Sequence, residues 1–266
     1  MKSPKVSVII PVYNAEKTIG GILEKLITQQ YKNIEIIVVN DGSKDGSLKI
    51  LKDFSRKDDR VLLVDQNNAG VSAARNVGTN KATGEFVLYI DSDDDFSEKL
   101  ITKLIASSSK DVDFVMCGMS INGRVVVAHS AIVNGCKSII SYVLSSLLAK
   151  NLFYGPYCKL YRRSIIEDFD VEFPEKVKYG EDTIFVLSYL RCINNMTVLG
   201  ESLYEYNFQP TGLATANNRN ASFRNARTKS LNEFVAARLT LTGRVLYLLL
   251  RARWSVAYLK ARLGSA

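Results

Sequence analysis

The sequence predicts an α/β fold built on a mostly parallel sheet with flanking helices on both faces. Over roughly the first hundred residues, short runs rich in valine and isoleucine alternate with segments of helical periodicity. Strands that are separated by helices pair in parallel, and the helices then cover the two faces of the sheet. Polar clusters follow these runs, and ligands of such sheets bind beyond the carboxyl ends of the strands.

Each element follows from the pattern of apolar residues and turn signals. The first strands are predicted at Val6–Ile10, Ile34–Val39, Arg60–Val64 and Phe86–Ile90, and the helices between them at Ile19–Ile27, Leu48–Phe54 and Gly70–Lys81. Pro11 is expected to end the first strand, and the turn signal Asn40-Asp41-Gly42-Ser43 ends the second. Later strands are predicted at Val112–Met119, Val125–Ala131, Met196–Leu199 and Leu203–Tyr206, and later helices at Ser138–Lys150, Gly180–Arg191 and Ser222–Leu263.

Composition and charge exclude several classes of function. The chain has 266 residues, enough for one large domain or two small ones. Its four cysteines show no CxxC spacing, and the single histidine, His129, cannot complete a zinc site with them. Residues 219–266 hold ten basic residues and one acidic residue, a net charge of +9, whereas the whole chain carries +8. The remaining residues are therefore close to neutral, which disfavours nucleic-acid binding by the main body.

The sequence also bears on where the protein works in the cell. The N-terminal residues run directly into a strand-like segment and lack the apolar stretch and cleavage site of a signal peptide. No window reaches 18 uncharged apolar residues, so no transmembrane helix is expected. Unpaired thiols favour a reducing compartment. We therefore expect a cytoplasmic protein.

The most informative segment is the acidic run Asp91-Ser92-Asp93-Asp94-Asp95, which directly follows the predicted strand at Phe86–Ile90. Four crowded carboxylates repel one another and are costly unless a cation lies among them. Mg²⁺ and Mn²⁺ take oxygen ligands, and Mg²⁺ typically uses one or two carboxylates plus substrate phosphates. The run therefore indicates a site for a metal and a diphosphate. The alternative is a solvated acidic loop that caps a helix beginning near Phe96.

In its order and spacing of motifs, the chain resembles the family 2 glycosyltransferases, which have the Rossmann-like GT-A fold. The motifs that carry the resemblance, between about residues 5 and 190, are Val8-Ile9-Ile10-Pro11-Val12-Tyr13-Asn14, Asn40-Asp41-Gly42-Ser43, Asn67-Asn68-Ala69-Gly70, Ala74-Arg75-Asn76-Val77-Gly78, Asp91-Ser92-Asp93-Asp94 and Glu181-Asp182. The resemblance implies an inverting enzyme that moves one sugar from a nucleotide-sugar, expected to be a UDP-sugar, to a glycan or lipid-linked acceptor in surface-polysaccharide synthesis. It also implies Mg²⁺ or Mn²⁺ as cofactor.

The resemblance assigns the donor site to side chains at the strand ends. Asp41 contacts uracil, unless it is only a turn residue, and Pro11 and Tyr13 wall the base, unless the tyrosine packs in the core. Asp91 faces the ribose or the metal, and Asp93 binds the metal through the family's DxD motif. Further contacts to the nucleotide-sugar are expected from the motif residues Val12, Asn68 and Ser92, unless Asn68 belongs only to a turn and helix cap.

The resemblance also assigns charged residues around the reacting atoms. Arg75 reaches the donor's sugar or phosphates, unless it forms a surface ion pair. Asp182 matches the family's general base, and Glu181 and Lys159 are expected to contact acceptor or donor. Acidic residues in the first turn of a helix are also common for dipole reasons alone. The family often has a tryptophan shortly before this lysine, but here Gly155-Pro156-Tyr157-Cys158 precedes it.

Other classes of protein are less consistent with these motifs. A non-catalytic sugar-nucleotide or partner-binding module on the same fold would not need Asp91, Asp93 and Asp182 intact. A nucleotidyltransferase would have a glycine-rich loop with Arg and Lys after the first strand, and a dehydrogenase would have GxGxxG there. Processive members of the superfamily have the motif QxxRW. Here Arg253-Trp254 matches its last two positions, but Leu250 stands at the position of the glutamine.

We predict two parts of the chain. Residues 1–215 form the GT-A domain, with a nucleotide-binding half at about 1–98 and an acceptor half at 99–215, and residues 216–266 form a basic helical extension. The extension combines its net +9 with apolar and aromatic residues, a composition typical of a helix lying at an anionic membrane surface. The alternatives are that these residues pack on the catalytic domain or form a homodimer contact.

Overall fold

Four parallel strands form the half of the sheet that comes first in the sequence. The computed structural model describes residues 3–135, 138–143, 153, 155–177 and 180–207. The strands are β1 (Val6–Val12), β2 (Ile34–Asp41), β3 (Val61–Gln66) and β4 (Phe86–Tyr89), and the helices between them are α1 (Ile19–Thr28), α2 (Ser47–Lys57) and α3 (Val71–Lys81). The strand order is β3-β2-β1-β4, with β1 parallel to both neighbours. The right-handed rule for such crossovers puts α1 and α2 on one face and α3 on the other.

The later elements extend the same sheet with mixed pairing. They are β5 (Asp95–Phe96), α4 (Leu100–Ala106), β6 (Phe114–Ile121), β7 (Arg124–Val126), β8 (Ala131–Asn134), α5 (138–143), β9 (Lys159–Arg162), α6 (Arg163–Asp168), α7 (Glu181–Leu190) and β10 (Asn195–Tyr206). β9 is antiparallel to both β4 and β6 and so joins the two halves. β10 is parallel to β6 and antiparallel to β5 and β8. Among the described residues, all ten strands belong to one sheet.

The central strands consist mostly of buried apolar residues because both faces of the sheet are covered. Val8, Ile9 and Ile10 of β1 are fully buried, which is the pattern of a parallel strand between two helical layers. On one face α3 packs very close to β1. A Cβ atom added to Gly78 would lie 2.4 Å from Cγ2 of Ile9, so only glycine permits this approach.

Aromatic residues fix α7 against β4 and β9. The ring of Tyr89 on β4 makes edge-on contacts with Tyr161, Phe173 and Phe185, at centroid distances of 5.2 to 5.7 Å. Phe173 also stacks on Phe185 of α7, with centroids 3.8 Å apart. Such contacts add to the burial of large apolar surfaces. They hold the first turn of α7, which carries Glu181 and Asp182, near the end of β4.

Several boundaries differ from those expected from the sequence. β1 continues through Pro11 instead of ending there. The neighbouring strand β4 ends at Tyr89, opposite Ile9, so the N–H that proline lacks is not needed for pairing with β4. The helix expected near Phe96 begins at Leu100, and Phe96 itself lies on β5. The strand predicted at Val125–Ala131 is two strands, β7 and β8, and the two strands predicted between residues 196 and 206 are one irregular strand, β10.

The remaining predictions for the C-terminal part lie outside the described residues. This applies to the basic extension at 216–266, to its helices and to residues 144–150 of the helix predicted at Ser138–Lys150. In the described part of the chain, no helix has the length and apolar character needed to cross a membrane.

Candidate active site

The polar clusters predicted at the strand ends lie together at the carboxyl edge of β1 to β4. The loop after β1 contacts the loop after β2: Asn14 N donates to Ser43 Oγ at 3.0 Å, and Lys44 N donates to Asn14 Oδ1 at 2.8 Å. Tyr13 is 49% exposed, so its ring does not pack in the core, and that alternative is wrong. Pro11 and Val12 are buried beside it at the end of β1.

Asp41 is buried and organises the loop that leads into α3. Its Oδ1 accepts hydrogen bonds from Gln66 Nε2 and Ala69 N, both at 2.8 Å, and its Oδ2 accepts one from Gly70 N at 2.9 Å. Asn68 Nδ2 donates to the Asp41 carbonyl at 3.0 Å. Gly70 has a φ of +94°, which favours glycine at this position. The contact of Asp41 and Asn68 with a base stays a prediction.

The four carboxylates of the run at 91–95 have very different surroundings. Asp95 pairs with Lys25. Asp94 is only 4% exposed and accepts from Tyr204 Oη at 2.8 Å and from Asn207 N at 2.9 Å. Asp93 is exposed, and none of the ion pairs found among the described residues involves it. Of the four, it is the carboxylate left open to a ligand.

Arg75 joins the acidic run to α7. The residue is 3% exposed, and its guanidinium donates from Nη2 to Asp91 Oδ1 at 2.6 Å and from Nη1 to Asp182 Oδ1 at 2.5 Å. Its Cζ lies 5.3 Å from the centroid of the Phe173 ring, and its Nε has no partner among the described residues. The surface ion pair weighed for Arg75 is therefore wrong, because Arg75 itself is buried and its two carboxylate partners are only partly exposed. A buried arginine between two carboxylates fixes the distance between them.

Neighbouring residues hold Arg75 in place. Asn76 Nδ2 donates to the Phe173 carbonyl at 2.9 Å, and Phe173 N donates to Asn76 Oδ1 at 2.9 Å. This pair of hydrogen bonds ties the segment before α7 to α3. Phe173 thus contacts Arg75 of α3 and stacks on Phe185 of α7.

Three aspartates of this edge, Asp93, Asp94 and Asp182, have pKa values above the ordinary range. Burial raises the pKa of Asp182 to about 7 against the opposing effect of Arg75, and Glu181 and Asp91 add to the rise. Desolvation by neighbouring protein groups, followed by the charge of Asp91, raises the pKa of Asp93 although its side chain is exposed at the surface. The pKa of Asp94 rises to about 8 because of burial and Asp91. Burial lowers the pKa of Arg75, but the two carboxylates outweigh it and raise the value. Desolvation and neighbouring negative charge therefore act together on these three aspartates.

Lys159 and Ser92 have structural contacts. Lys159 is fully buried, and its Nζ donates to the carbonyls of Gly155 and Tyr157 at 2.8 and 3.1 Å. Burial lowers the pKa of Lys159. The Ser92 carbonyl accepts from Thr18 Oγ1 at 2.6 Å. Contact of either residue with donor or acceptor stays a prediction.

A cavity of about 960 Å³ lies beside the candidate site but contains none of the residues predicted from the sequence. It is lined by residues 169–176 and by the end of α7, including Ser188, Arg191 and Cys192. Phe173 is the one residue that both lines this cavity and contacts Arg75. The chemistry-bearing residues lie instead along the open edge of the sheet.

A divalent metal can be tested against the residues that are present. Within the described ranges, no three histidine, cysteine or acidic side chains are grouped as a metal cage. What the edge offers is an exposed carboxylate, Asp93, that none of the ion pairs among the described residues involves and that is electrostatically coupled to Asp91. This donor set fits Mg²⁺ or Mn²⁺ when substrate phosphates supply further ligands.

Sequence reasoning missed the residues that hold these groups from other elements. Asn76, Tyr204 and Asn207 each make two or more hydrogen bonds to the candidate site or its supports. Asn76 stood in a quoted motif, but its partner is 97 residues away. Tyr204 and Asn207 carried no signal in the sequence.

Comparison with known proteins identifies the family. The family model described as glycosyl transferase family 2 matches residues 7–169. The chain belongs to this family. EpsJ, an uncharacterized glycosyltransferase of Bacillus subtilis, is 32% identical over 216 residues, which cover 79% of this chain and 63% of EpsJ. The predicted GT-A fold and family are thereby confirmed.

A second relative has a solved structure. TarS of Staphylococcus aureus, named as a poly(ribitol-phosphate) β-N-acetylglucosaminyltransferase, is 32% identical over 76% of this chain and 35% of its own length. The crystal structure of TarS 1–349 in complex with UDP-GlcNAc aligns with a TM-score of 0.70 and 27% identity, over 88% of this chain and 66% of that one. A mannosyltransferase of Pyrobaculum calidifontis, solved with GDP-Man and Mn²⁺, shares the fold at a TM-score of 0.59 and 17% identity, over 95% of this chain and 81% of that one. The matched region spans less than two thirds of the length of the first curated relatives.

Proposed function

We propose that this protein transfers one sugar from a nucleotide-sugar, a UDP-sugar in the first instance, to a glycan or lipid-linked acceptor with inversion at the anomeric carbon. The observation that carries the proposal is the bridge from Asp91 through the buried Arg75 to Asp182. It links the end of β4, where donors of this fold bind, to a carboxylate with a pKa of about 7. A purely structural arginine would not require two carboxylates at an open sheet edge.

In this proposal the donor lies across the ends of β1, β2 and β4. The exposed ring of Tyr13 stacks on the base, while Pro11, Val12, Asp41 and Asn68 shape the base and ribose site. UDP is favoured because the TarS structure, which aligns at 27% identity, contains UDP-GlcNAc.

Asp182 acts as the general base. It takes the proton of the acceptor hydroxyl while that oxygen forms a bond to the anomeric carbon and the bond from that carbon to the diphosphate breaks. A carboxylate with a pKa near 7 is suited to accept a proton close to neutral pH. Arg75 holds Asp182 in position, and Glu181, the preceding residue, contributes negative charge that keeps the basicity of Asp182 high.

Asp93 is the side chain that would hold a divalent cation, with Asp91 beside it. When bound, the cation neutralises charge that builds on the departing diphosphate. Mg²⁺ and Mn²⁺ are the candidates because the available ligands are all oxygen atoms.

A screen of nucleotide-sugars tests the reaction. Purified protein is incubated with UDP-, GDP- and dTDP-sugars, with Mn²⁺ or with EDTA, and release of the free nucleoside diphosphate is measured. We expect release from a UDP-sugar that depends on Mn²⁺. Absence of release and of UDP binding under all conditions would contradict the proposal.

The acceptor is proposed to be a surface polymer or its lipid-linked precursor. TarS is named for a poly(ribitol-phosphate) acceptor, and polymers of this kind carry many hydroxyl groups.

Attachment to an anionic membrane through residues 222–266 is proposed from charge: the net +9 of residues 219–266 contributes about 1 kcal/mol per basic residue at the surface. Flotation with anionic liposomes, with and without this segment, tests attachment on the inner face of the cell membrane. Equal flotation of the full-length and the shortened protein would contradict attachment through this segment. Sedimentation analysis of the same two proteins tests the alternative that the segment forms a homodimer contact.

A further inference from the structure

We infer that Tyr204 and Asn207, at the end of β10, are positioning residues that hold the loop at 91–95 so that Asp93 faces the donor diphosphate. This inference rests on the proposed function. It concerns residues outside every motif of the family resemblance, 110 to 114 residues away in the chain from those they contact.

The hydroxyl of Tyr204 makes two hydrogen bonds to the acidic loop. It donates to Asp94 Oδ2 at 2.8 Å, and it accepts from Asp91 N at 3.2 Å. A phenol has one proton to donate, so the hydroxyl donates this proton to the Asp94 carboxylate and accepts the hydrogen bond from Asp91 N with a lone pair. Tyr204 is 2% exposed and Asp94 is 4% exposed, so water does not compete freely for either group.

Asn207 completes the attachment on the other side of Asp93. Its backbone N donates to Asp94 Oδ1 at 2.9 Å, and its Nδ2 donates to the Asp93 carbonyl at 2.8 Å. Both oxygens of Asp94 are thereby occupied, and Asp94 is an internal anchor rather than a ligand. The backbone is held at Asp91, at Asp93 and through Asp94, while the Asp93 carboxylate is left exposed.

Tyr204 is itself fixed by packing. Its ring stacks on Tyr157 with centroids 5.1 Å apart and an interplanar angle of 7°, and Tyr157 also stacks on Tyr206 at 5.3 Å. The Tyr157 carbonyl accepts from the buried Lys159. A side chain with a locked rotamer is what a positioning role requires, because a loose support would let like-charged Asp91 and Asp93 move apart.

Tyr189 provides a matched control at the other end of the sheet. Its hydroxyl also bridges two backbone segments: it accepts from Arg162 N at 2.8 Å and donates to the Asp113 carbonyl at 2.6 Å. Arg162 pairs with Phe86, at the start of β4, whereas the acidic loop follows the end of β4. Tyr189→Phe therefore removes a comparable pair of buried hydrogen bonds without touching the candidate site.

The experiment measures Mn²⁺ binding by calorimetry at a saturating concentration of UDP, together with the melting temperature, for wild type, Tyr204→Phe, Asn207→Ala and Tyr189→Phe. We expect Tyr204→Phe to weaken Mn²⁺ binding about tenfold and Asn207→Ala about threefold, since each loses hydrogen bonds of ordinary strength. Tyr189→Phe should lower the melting temperature by a similar amount and leave Mn²⁺ affinity unchanged.

The possible results separate this inference from the proposed function. Wild-type protein that binds both UDP and Mn²⁺, with Tyr204→Phe and Asn207→Ala binding equally well, overturns the inference alone. Equal weakening by Tyr189→Phe also overturns it, because the effect would then be general destabilisation. Wild-type protein that binds neither ligand overturns the proposed function and this inference with it. Should Tyr204→Phe fail to fold, Asn207→Ala decides, since Asn207 is exposed and its backbone hydrogen bond remains.

Discussion

Glu35 at the amino edge of the sheet and Asp182 and Asp94 at the carboxyl edge have pKa values that shift in opposite directions. At the amino edge, Glu35 accepts hydrogen bonds from Lys5 Nζ at 2.6 Å, Ser7 Oγ at 2.5 Å and Thr83 N at 2.7 Å. Burial acts to raise the pKa of Glu35, but these partners outweigh it and lower the value to about 2. At the carboxyl edge, Asp182 and Asp94 have pKa values of about 7 and about 8.

The difference separates Glu35, whose charge the fold compensates, from Asp182, whose charge it compensates only in part. Glu35 has one cation and several donors for one charge, so its ionised form stabilises the fold. Asp91 and Asp182 share one arginine, and Asp93 has no cation of its own among the described residues. Charge that the fold leaves uncompensated is available for a metal, a diphosphate or a proton. The contrast predicts that neutralising a carboxylate harms activity at one edge and stability at the other.

Asp182→Asn should give the largest effect. We expect turnover to fall about 100-fold or more, the scale for loss of a general base, while UDP-sugar binding stays nearly intact. The melting temperature near neutral pH should not fall, because the change removes one charge from a crowded edge and Arg75 keeps Asp91. Activity within a few-fold of wild type with the true acceptor would remove Asp182 from the mechanism.

Asp93→Ala should abolish most of the benefit of metal. In wild type we expect UDP to bind about tenfold or more tightly in Mn²⁺ than in EDTA. In the variant, UDP affinity should be similar in Mn²⁺ and in EDTA, because the lost carboxylate is a large part of an oxygen site for the metal. Asp95→Ala is the matched control, because Asp95 pairs with Lys25 and should leave metal dependence unchanged. Calorimetry measures both, and equal wild-type affinity in Mn²⁺ and EDTA would count against the metal site.

The pH profile of kcat/KM tests the raised pKa of Asp182. Its value of about 7 means that the carboxylate is protonated below this pH and cannot accept the acceptor's proton. Activity should therefore rise about tenfold per pH unit up to about pH 7 and level off above it. A profile that is flat between about pH 5 and pH 8 would show that Asp182 titrates in the ordinary range of an aspartate.

Glu35→Gln should give the smallest effect on activity and a clear effect on stability. The folded pKa of about 2 lies below the ordinary glutamate pKa of 4.5, so the stabilisation is fully present above the unfolded pKa and is lost as pH falls towards 2. At neutral pH the variant should lose about 1 to 2 kcal/mol of unfolding free energy, since polar partners remain for the amide. Denaturant unfolding at about pH 7 and pH 3 measures this. An equal difference between variant and wild type at both pH values would contradict the assignment.

The fold could be predicted from local pattern because its signals are local. The alternation of apolar runs and helical periodicity predicts β1 to β4 and α1 to α3 to within a few residues. Pro11 was expected to end β1, but an interior proline is tolerated where the neighbouring strand has already ended. That register depends on β4, whose pairing partner Ile9 lies 80 residues earlier in the chain.

The sequence by itself determined which residue types stand at the carboxyl edge, since strand ends and motif spacing put Asp41, Asp91, Asp93 and Asp182 there. Only the tertiary structure decided how adjacent, chemically identical residues differ. Asp93 is exposed and Asp94 is buried because β10 brings Tyr204 and Asn207 to one carboxylate and not to the other. Contacts that form only in the folded chain likewise bury Lys159 and let Arg75 of α3 pair with Asp182 of α7. The cost of burying a charge is set by the partners that the whole fold assembles around it, and those partners are distant in the sequence.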